Sequence, residues 1–240
     1  MKPTHIKLGK ILGRLETFYG APKPPKSILA SLSGRADPYE MILYANCGYP
    51  ATDASCTNGF EALKREVGLR PDEILAAPVE KLREILRLGG IVPELRAERL
   101  RQIAARVKHE FGGNLRAVLR RPLPEARKAL KTFPTIGDPG ADKILLFTKT
   151  TPVAAVPSNC VGVTLRIFTG KMNKNYQANY RAEQEIFRTE LPEDSTALLR
   201  AHLLLKQHGQ EICKRTRPLC ERCPISSDCA YFRATRTPAR

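Results

Sequence analysis

Apolar residues recur at helical spacing along most of this chain, and runs of alternating β-branched residues are scarce, so the pattern predicts an all-α protein. Ile6 to Tyr19 carries one such stripe and ends at Gly20, after which Ala21-Pro22-Lys23-Pro24-Pro25 reads as a stiff connector leading from one lobe to another. Asp37-Pro38 offers an N-cap followed by proline in the first turn and opens a helix through about Cys47. Thr52 or Asp53 caps the next, which runs to about Val67. Pro71-Asp72-Glu73 and Pro78-Val79-Glu80 each begin another, the second ending at Gly89-Gly90, and Pro93 begins a long basic helix that Gly112-Gly113 stop after Phe111. Leu123-Pro124-Glu125 starts a short helix ending near Phe133, and a last strong pattern runs from about Pro139 through Lys149.

The 240 residues suffice for a sizeable core in one domain or two compact lobes. The formal net charge of +16 is spread along the whole sequence rather than gathered in a tail, which favours a polyanionic partner, because each neutralised phosphate releases counterions. A membrane surface fits less well, since no basic amphipathic helix with an aromatic face stands out. Met1-Lys2-Pro3-Thr4-His5 leads into charged sequence without an apolar leader, and no run of about 18 apolar residues occurs. The expectation is a cytoplasmic protein. An odd count of seven cysteines argues against a disulfide framework and makes Cys47, Cys56 and Cys160 small core residues.

The other four cysteines, Cys213, Cys220, Cys223 and Cys229, form C-x6-C-x2-C-x5-C. Four thiolates in so short a stretch can enclose one metal centre, and soft sulfur ligands suit both zinc and iron–sulfur clusters. Zinc ribbons join two C-x2-C knuckles from separated segments, whereas this run holds one knuckle flanked by single cysteines, which favours a [4Fe–4S] cluster while ligand count leaves zinc open. Between the helices on either side of Phe133-Pro134-Thr135-Ile136-Gly137, a tight turn leaves free N–H groups at a helix N-terminus and so forms a phosphate cradle, with the Thr135 hydroxyl and Lys143 ammonium to assist. The same pattern also describes an ordinary pair of antiparallel helices.

Taken together, these motifs resemble the helix-hairpin-helix DNA glycosylases, in the endonuclease III and adenine-glycosylase branch. His208-Gly209 precedes the cysteine run as it does there, and Phe133 to Gly137 is similar to the family's Leu-Pro-Gly-Val-Gly, with Thr135 where glycine is usual. Tyr49-Pro50-Ala51-Thr52-Asp53 resembles Ala-Gln-Ala-Thr-Asp, and Gly90-Ile91-Val92, Arg96-Ala97 and Arg166-Ile167 extend the similarity over roughly residues 36 to 232. The resemblance implies a six-helix barrel over 37–152, with the helix-hairpin-helix at about 124–149. It also implies a second lobe of residues 1–36 and 153–240 that carries the cluster on Cys213, Cys220, Cys223 and Cys229. A groove between the lobes would hold the extruded nucleotide. It further implies a monomer that binds damaged or mismatched double-stranded DNA at the bacterial nucleoid, touching it through Thr135, Ile136, Gly137, Gly140, Lys143, Tyr49, Pro50, Ile91 and Val92. Ile91 or Val92 would be the apolar wedge, Tyr49 a stacking or core residue, and Tyr44, Asn46 and Asp53 candidate pocket residues.

At the chemistry this chain departs from the family. The lysine that forms a Schiff base in bifunctional members falls on Pro139, and the aspartate that stabilises the oxocarbenium-like sugar falls on Pro157. Replacement acids or polar groups are Asp138, Asp142, Ser158 and Asn159. Each also has a structural reading: Asp138 as an N-cap, Asp142 as a charge near a positive helix end, Ser158 or Asn159 as the cap of the following helix. The expectation is either a monofunctional glycosylase or a catalytically silent binder of DNA lesions or structures, with a zinc-containing nucleic-acid protein of another fold as a third class.

Overall fold

The computed structural model describes residues 7–22, 36–48 and 51–236, and among these residues helix is the only regular structure. Tertiary contacts divide the chain into two compact units, residues 1–23 with 152–240 and residues 24–151. None of the described helices is long and apolar enough to cross a membrane.

In chain order the helices of the 24–151 unit are α2 (Pro38–Gly48), α3 (Asp53–Glu66), α4 (Pro71–Ala76), α5 (Val79–Leu86), α6 (Pro93–Phe111), α7 (Leu123–Leu130) and α8 (Asp138–Phe147). Their starts follow local chemistry. Asp37 Oδ1 accepts hydrogen bonds from the Tyr39 and Glu40 amides at 2.9 and 3.2 Å, and Thr52, rather than Asp53, caps α3 by accepting from Ser55 N at 3.2 Å. The long α6 ends where Gly112 and Gly113 adopt φ of 59° and 78°, the left-handed conformation that closes a helix. Ile42, Leu43, Phe60, Leu63, Leu100, Ile103 and Val107 fill the core between α2, α3 and α6. At its edge, the backbone of Gly89 lies so close to α2 that an added Cβ would fall 1.7 Å from the Cys47 carbonyl oxygen.

The other unit contains α1 (Leu8–Tyr19), α9 (Val163–Thr169), α10 (Tyr176–Glu190), α11 (Ser195–Glu211) and α12 (Ala230–Arg236). The predicted stripe of α1 is Leu8, Ile11, Leu12 and Leu15, all buried against α10 and α11, and each such side chain contributes about 1.5–3 kcal/mol. Arg200 of α11 donates to Glu16 from Nε and Nη2 at 3.0 and 2.5 Å, fixing the register. Gly209 lets α11 approach the Ser158–Cys160 turn, because a Cβ there would stand 2.5 Å from the Cys160 sulfur. Cys47, Cys56 and Cys160 are buried thiols outside any disulfide, the core role expected of them.

Candidate nucleic-acid interface and metal centre

The turn joining α7 to α8 begins with Phe133, whose carbonyl accepts from Ile136 N at 3.2 Å. Pro134 follows, then Thr135 with φ of 64°, the arrangement of a type II turn. A positive φ is uncommon for a β-branched residue, so the usual glycine is replaced here at some cost in strain. Ile136 is buried, and with its amide already bonded to Phe133 it drops out of the phosphate-facing set predicted from sequence. Beyond it the first hydrogen bond of α8 runs from Ala141 N to Gly137 O at 2.9 Å, so the N–H groups ahead of it belong to the free set that every helix start leaves. Gly137 is exposed, and a Cβ on it would meet nothing nearer than Pro139 Cδ at 3.9 Å, so the fold itself does not require glycine there. Gly140 packs over Ile136. Lys143 places its ammonium 5.3 Å from the Phe147 ring centre, one turn along α8 from the turn it was expected to assist.

Asp138 is not the N-cap of α8. Gly137 takes that position, and the Asp138 carboxylate pairs instead with Lys131 Nζ at 2.5 Å. Asp142 is buried, and its Oδ1 accepts from Arg127 Nε at 2.6 Å. Pro139 occupies the first turn of α8, where its missing N–H leaves no bond unmade.

Ile91 and Val92 stand out as exposed apolar residues, 76% and 49% accessible, before α6. Val92 has φ of 61° and ψ of 53°, a genuine outlier for a β-branched residue. Tyr44 turns inward, donating to Asp53 O at 3.1 Å and packing edge-on against Phe60, so it belongs to the core and not to a pocket wall. Asn46 is also buried, while Asp53 opens α3 and is half-buried. Tyr49 and Pro50 lie outside the described residues.

In the other unit Pro157 is buried and leads into the Ser158–Cys160 turn with φ of −63° and ψ of 122°. Neither Ser158 nor Asn159 caps α9, because Gly162 intervenes; the Ser158 hydroxyl bonds to Asn159 Oδ1 at 3.0 Å. The start of α9 is satisfied from elsewhere. Glu183 of α10 accepts from Gly162 N, Thr164 N, Leu165 N and the Thr164 hydroxyl at 2.9, 2.7, 3.2 and 2.5 Å. Burial pushes this carboxyl up, and those hydrogen bonds pull against the shift.

Cys213, Cys220, Cys223 and Cys229 all line one small, partly open pocket together with Ile167, Ile212 and Ile225. Among the described residues no three His, Cys, Asp or Glu side chains are grouped tightly enough to hold a single metal ion. Arg166 anchors the ligand loop, donating to the carbonyls of Lys214 and Arg215 at 2.9 and 2.6 Å and reaching the Cys213 sulfur at 3.7 Å. His208 Nε2 is 3.7 Å from the Cys223 sulfur, and its Nδ1 meets the Tyr19 hydroxyl at 3.1 Å. Burial pushes the Cys213, Cys220 and Cys223 thiols up, Cys223 to about 11, and brings His208 down to about 4. Thiols so placed hold their protons until a metal's charge displaces them.

No protein-family model matches the chain. It is 23% identical over 197 residues to a thymine-DNA glycosylase of Aeropyrum pernix, covering 82% of this chain and 84% of that protein. It is 27% identical over 196 residues to an endonuclease III of Sulfolobus acidocaldarius, covering 81% and 82%. A solved endonuclease III–DNA complex superposes with a TM-score of 0.71 at 17% identity, over 95% of this chain and 96% of that one. A thermostable thymine-DNA glycosylase gives 0.70 at 20%, over 94% and 96%. The chain thus has the all-α fold of endonuclease III, and its sequence is similar to those of DNA glycosylases and endonucleases III. The residues that sequence reasoning missed are Arg127, Glu183 and the buried role of Arg96. Each is a charged residue within a helical pattern, and nothing local marks its distant partner.

Proposed function

We propose that this protein is a DNA-binding glycosylase homologue of base excision repair, which grips duplex DNA and extrudes a nucleotide. Any reaction is monofunctional hydrolysis of the N-glycosidic bond of a modified or mismatched base. The observation that carries the reading is the α7–α8 turn, where free N–H groups surround a Gly137 whose missing side chain the fold does not need, so a phosphate has room to approach. Relatives named as glycosylases and a superposable endonuclease III bound to DNA support it. Four cysteines lining one pocket supply the number and softness of ligands that a [4Fe–4S] cluster takes, and the single C-x2-C knuckle favours it over a zinc ribbon. Cys213, Cys220, Cys223 and Cys229 would hold it, and the cluster would brace the loop beside Arg166.

A second reading, a silent binder, is favoured by Pro139 and Pro157 at the family's reaction positions and by the engagement of Asp142 with Arg127. One experiment addresses both. Holo-protein is incubated with duplexes carrying modified bases and mismatches, then treated with alkali, while binding is measured in parallel with Gly137→Leu as the control. The glycosylase reading expects strand breaks at particular bases. The silent reading expects binding without breaks, and a Gly137→Leu protein that folds and binds as tightly as wild type removes the turn from the interface.

A further inference from the structure

Two exposed turns of the 24–151 unit hold a β-branched residue in the left-handed conformation, Thr135 at φ 64° and Val92 at φ 61°. In each, the carbonyl of the residue just before the strained one is gripped by a buried side chain. Asn46 Nδ2 donates to Pro134 O at 3.1 Å, and Arg96 Nε donates to Ile91 O at 2.7 Å. The two grips are joined. Arg96 Nη1 donates to the backbone carbonyl of Asn46 at 3.3 Å, and Nη2 donates to that of Gly48 at 3.2 Å, so Arg96 also closes the C-terminus of α2. Asn46 and Arg96 are 1% and 5% exposed.

Asn46 keeps this geometry at a cost. Its Nδ2 serves both Ile42 O and Pro134 O, while its Oδ1 is buried and has no hydrogen-bond partner among the described residues. An apolar side chain would avoid that penalty but would release Pro134 O. Backbone strain persists where surrounding contacts over-determine it, and here one connected pair of side chains does so at both turns.

We infer that Asn46 and Arg96 are positioning residues that fix the phosphate-facing turn and the apolar wedge loop in one mutual arrangement, so that gripping the backbone and opening the base stack act together. The inference rests on the proposed DNA-binding reading for its function, but the linkage itself can be tested without DNA. Amide hydrogen exchange is followed at Gly90, Ile91, Val92, Thr135, Ile136 and Gly137 in wild type, Arg96→Gln and Asn46→Leu. Exchange at both turns should quicken on the order of tenfold in Arg96→Gln, because it loses its hold on Asn46 as well as on Ile91. In Asn46→Leu the 135–137 amides should respond first. Wild-type exchange at both turns in Arg96→Gln overturns the linkage.

On duplexes carrying 2-aminopurine beside a mismatch, read at protein concentrations that saturate the duplex for each variant, Arg96→Gln should still form a complex through the remaining basic surface. It should, however, lose most of the fluorescence rise that reports extrusion, with Arg96→Lys recovering part of it. A full rise in Arg96→Gln overturns the positioning role. If wild type itself binds no DNA while the exchange results hold, the functional reading fails and the linkage stands. Should Arg96→Gln fail to fold, Arg96→Lys, which keeps the charge but not the three-way reach, is read by the same two measurements.

Discussion

Arg127 Nε lies 2.6 Å from Asp142 Oδ1, and the Asp142 side chain is almost wholly removed from solvent while the Arg127 side chain keeps about a quarter of its surface. That ion pair ties α7 to α8 across the hairpin. Asp142 therefore has a structural task, whereas Asp138, paired with Lys131 at the surface, has none of comparable weight.

Asp142→Asn should cost roughly 1–3 kcal/mol, because it leaves a partly buried guanidinium facing a neutral amide. Asp138→Asn should cost less than about 0.5 kcal/mol, as expected of an exposed pair. Thermal melts separate the two. If the hairpin supplies an acid, base release should disappear in Asp138→Asn and survive in Asp142→Asn after correction for the folded fraction. The reverse outcome would assign the chemistry to Asp142.

Thr135→Gly should stabilise the protein. A β-branched residue at φ 64° costs about 1–2 kcal/mol that glycine avoids, against about 0.5–1 kcal/mol of extra chain entropy in the unfolded state. The net gain of about 0–1.5 kcal/mol corresponds to a melting temperature up to roughly 6 °C higher for a chain of this size. Thr135→Val should melt below the glycine variant. A lower melting temperature for Thr135→Gly would mean that the threonine hydroxyl supplies more than the strain removes.

The same Asp-Pro dipeptide marks two helix starts and means different things at each. At Asp37-Pro38 the aspartate caps α2, as its sequence predicts, but at Asp138-Pro139 the helix begins one residue earlier and Lys131 draws the carboxylate away. Most helix boundaries were legible because prolines, glycines and caps act within a turn of the chain. The side chains that fix the candidate site were not. Arg127 finds Asp142 15 residues on, Glu183 reaches back 21 to Gly162, and Arg96 reaches back 50 to Asn46, separations at which composition and periodicity say nothing. The cysteine run was visible in the sequence for the opposite reason, since its four cysteines lie within 17 residues of each other, and they line one pocket.

Purified protein should be yellow-brown and carry about four irons per chain, the stoichiometry of a cubane cluster. Cys223→Ala should lose most of that iron and lower the melting temperature of the unit containing α9 to α12, because the segment from Cys213 to Cys229 has only short turns of its own to hold it. Metal analysis and visible absorption check both points. Colourless protein with one zinc per chain would overturn the cluster.

Pro157 offers the sharpest test of whether this protein cuts a bond or only binds. Its φ of −63° and ψ of 122° are open to aspartate, and its carbonyl, which accepts from Cys160 N at 3.0 Å, is unaffected by the side chain. Pro157→Asp should therefore fold, although it adds an amide N–H and a carboxylate at a buried position, and desolvation will raise that carboxyl. If loss of the acid silenced the protein, wild type should release no base, and Pro157→Asp should show slow excision that strengthens as pH rises and the new carboxyl ionises. Pro157→Asn, which keeps the shape without the charge, should remain inactive at every pH, because charge stabilisation is the missing element. Wild-type release that Pro157→Asp fails to increase would show that the reaction no longer depends on this position and would direct attention to Asp138.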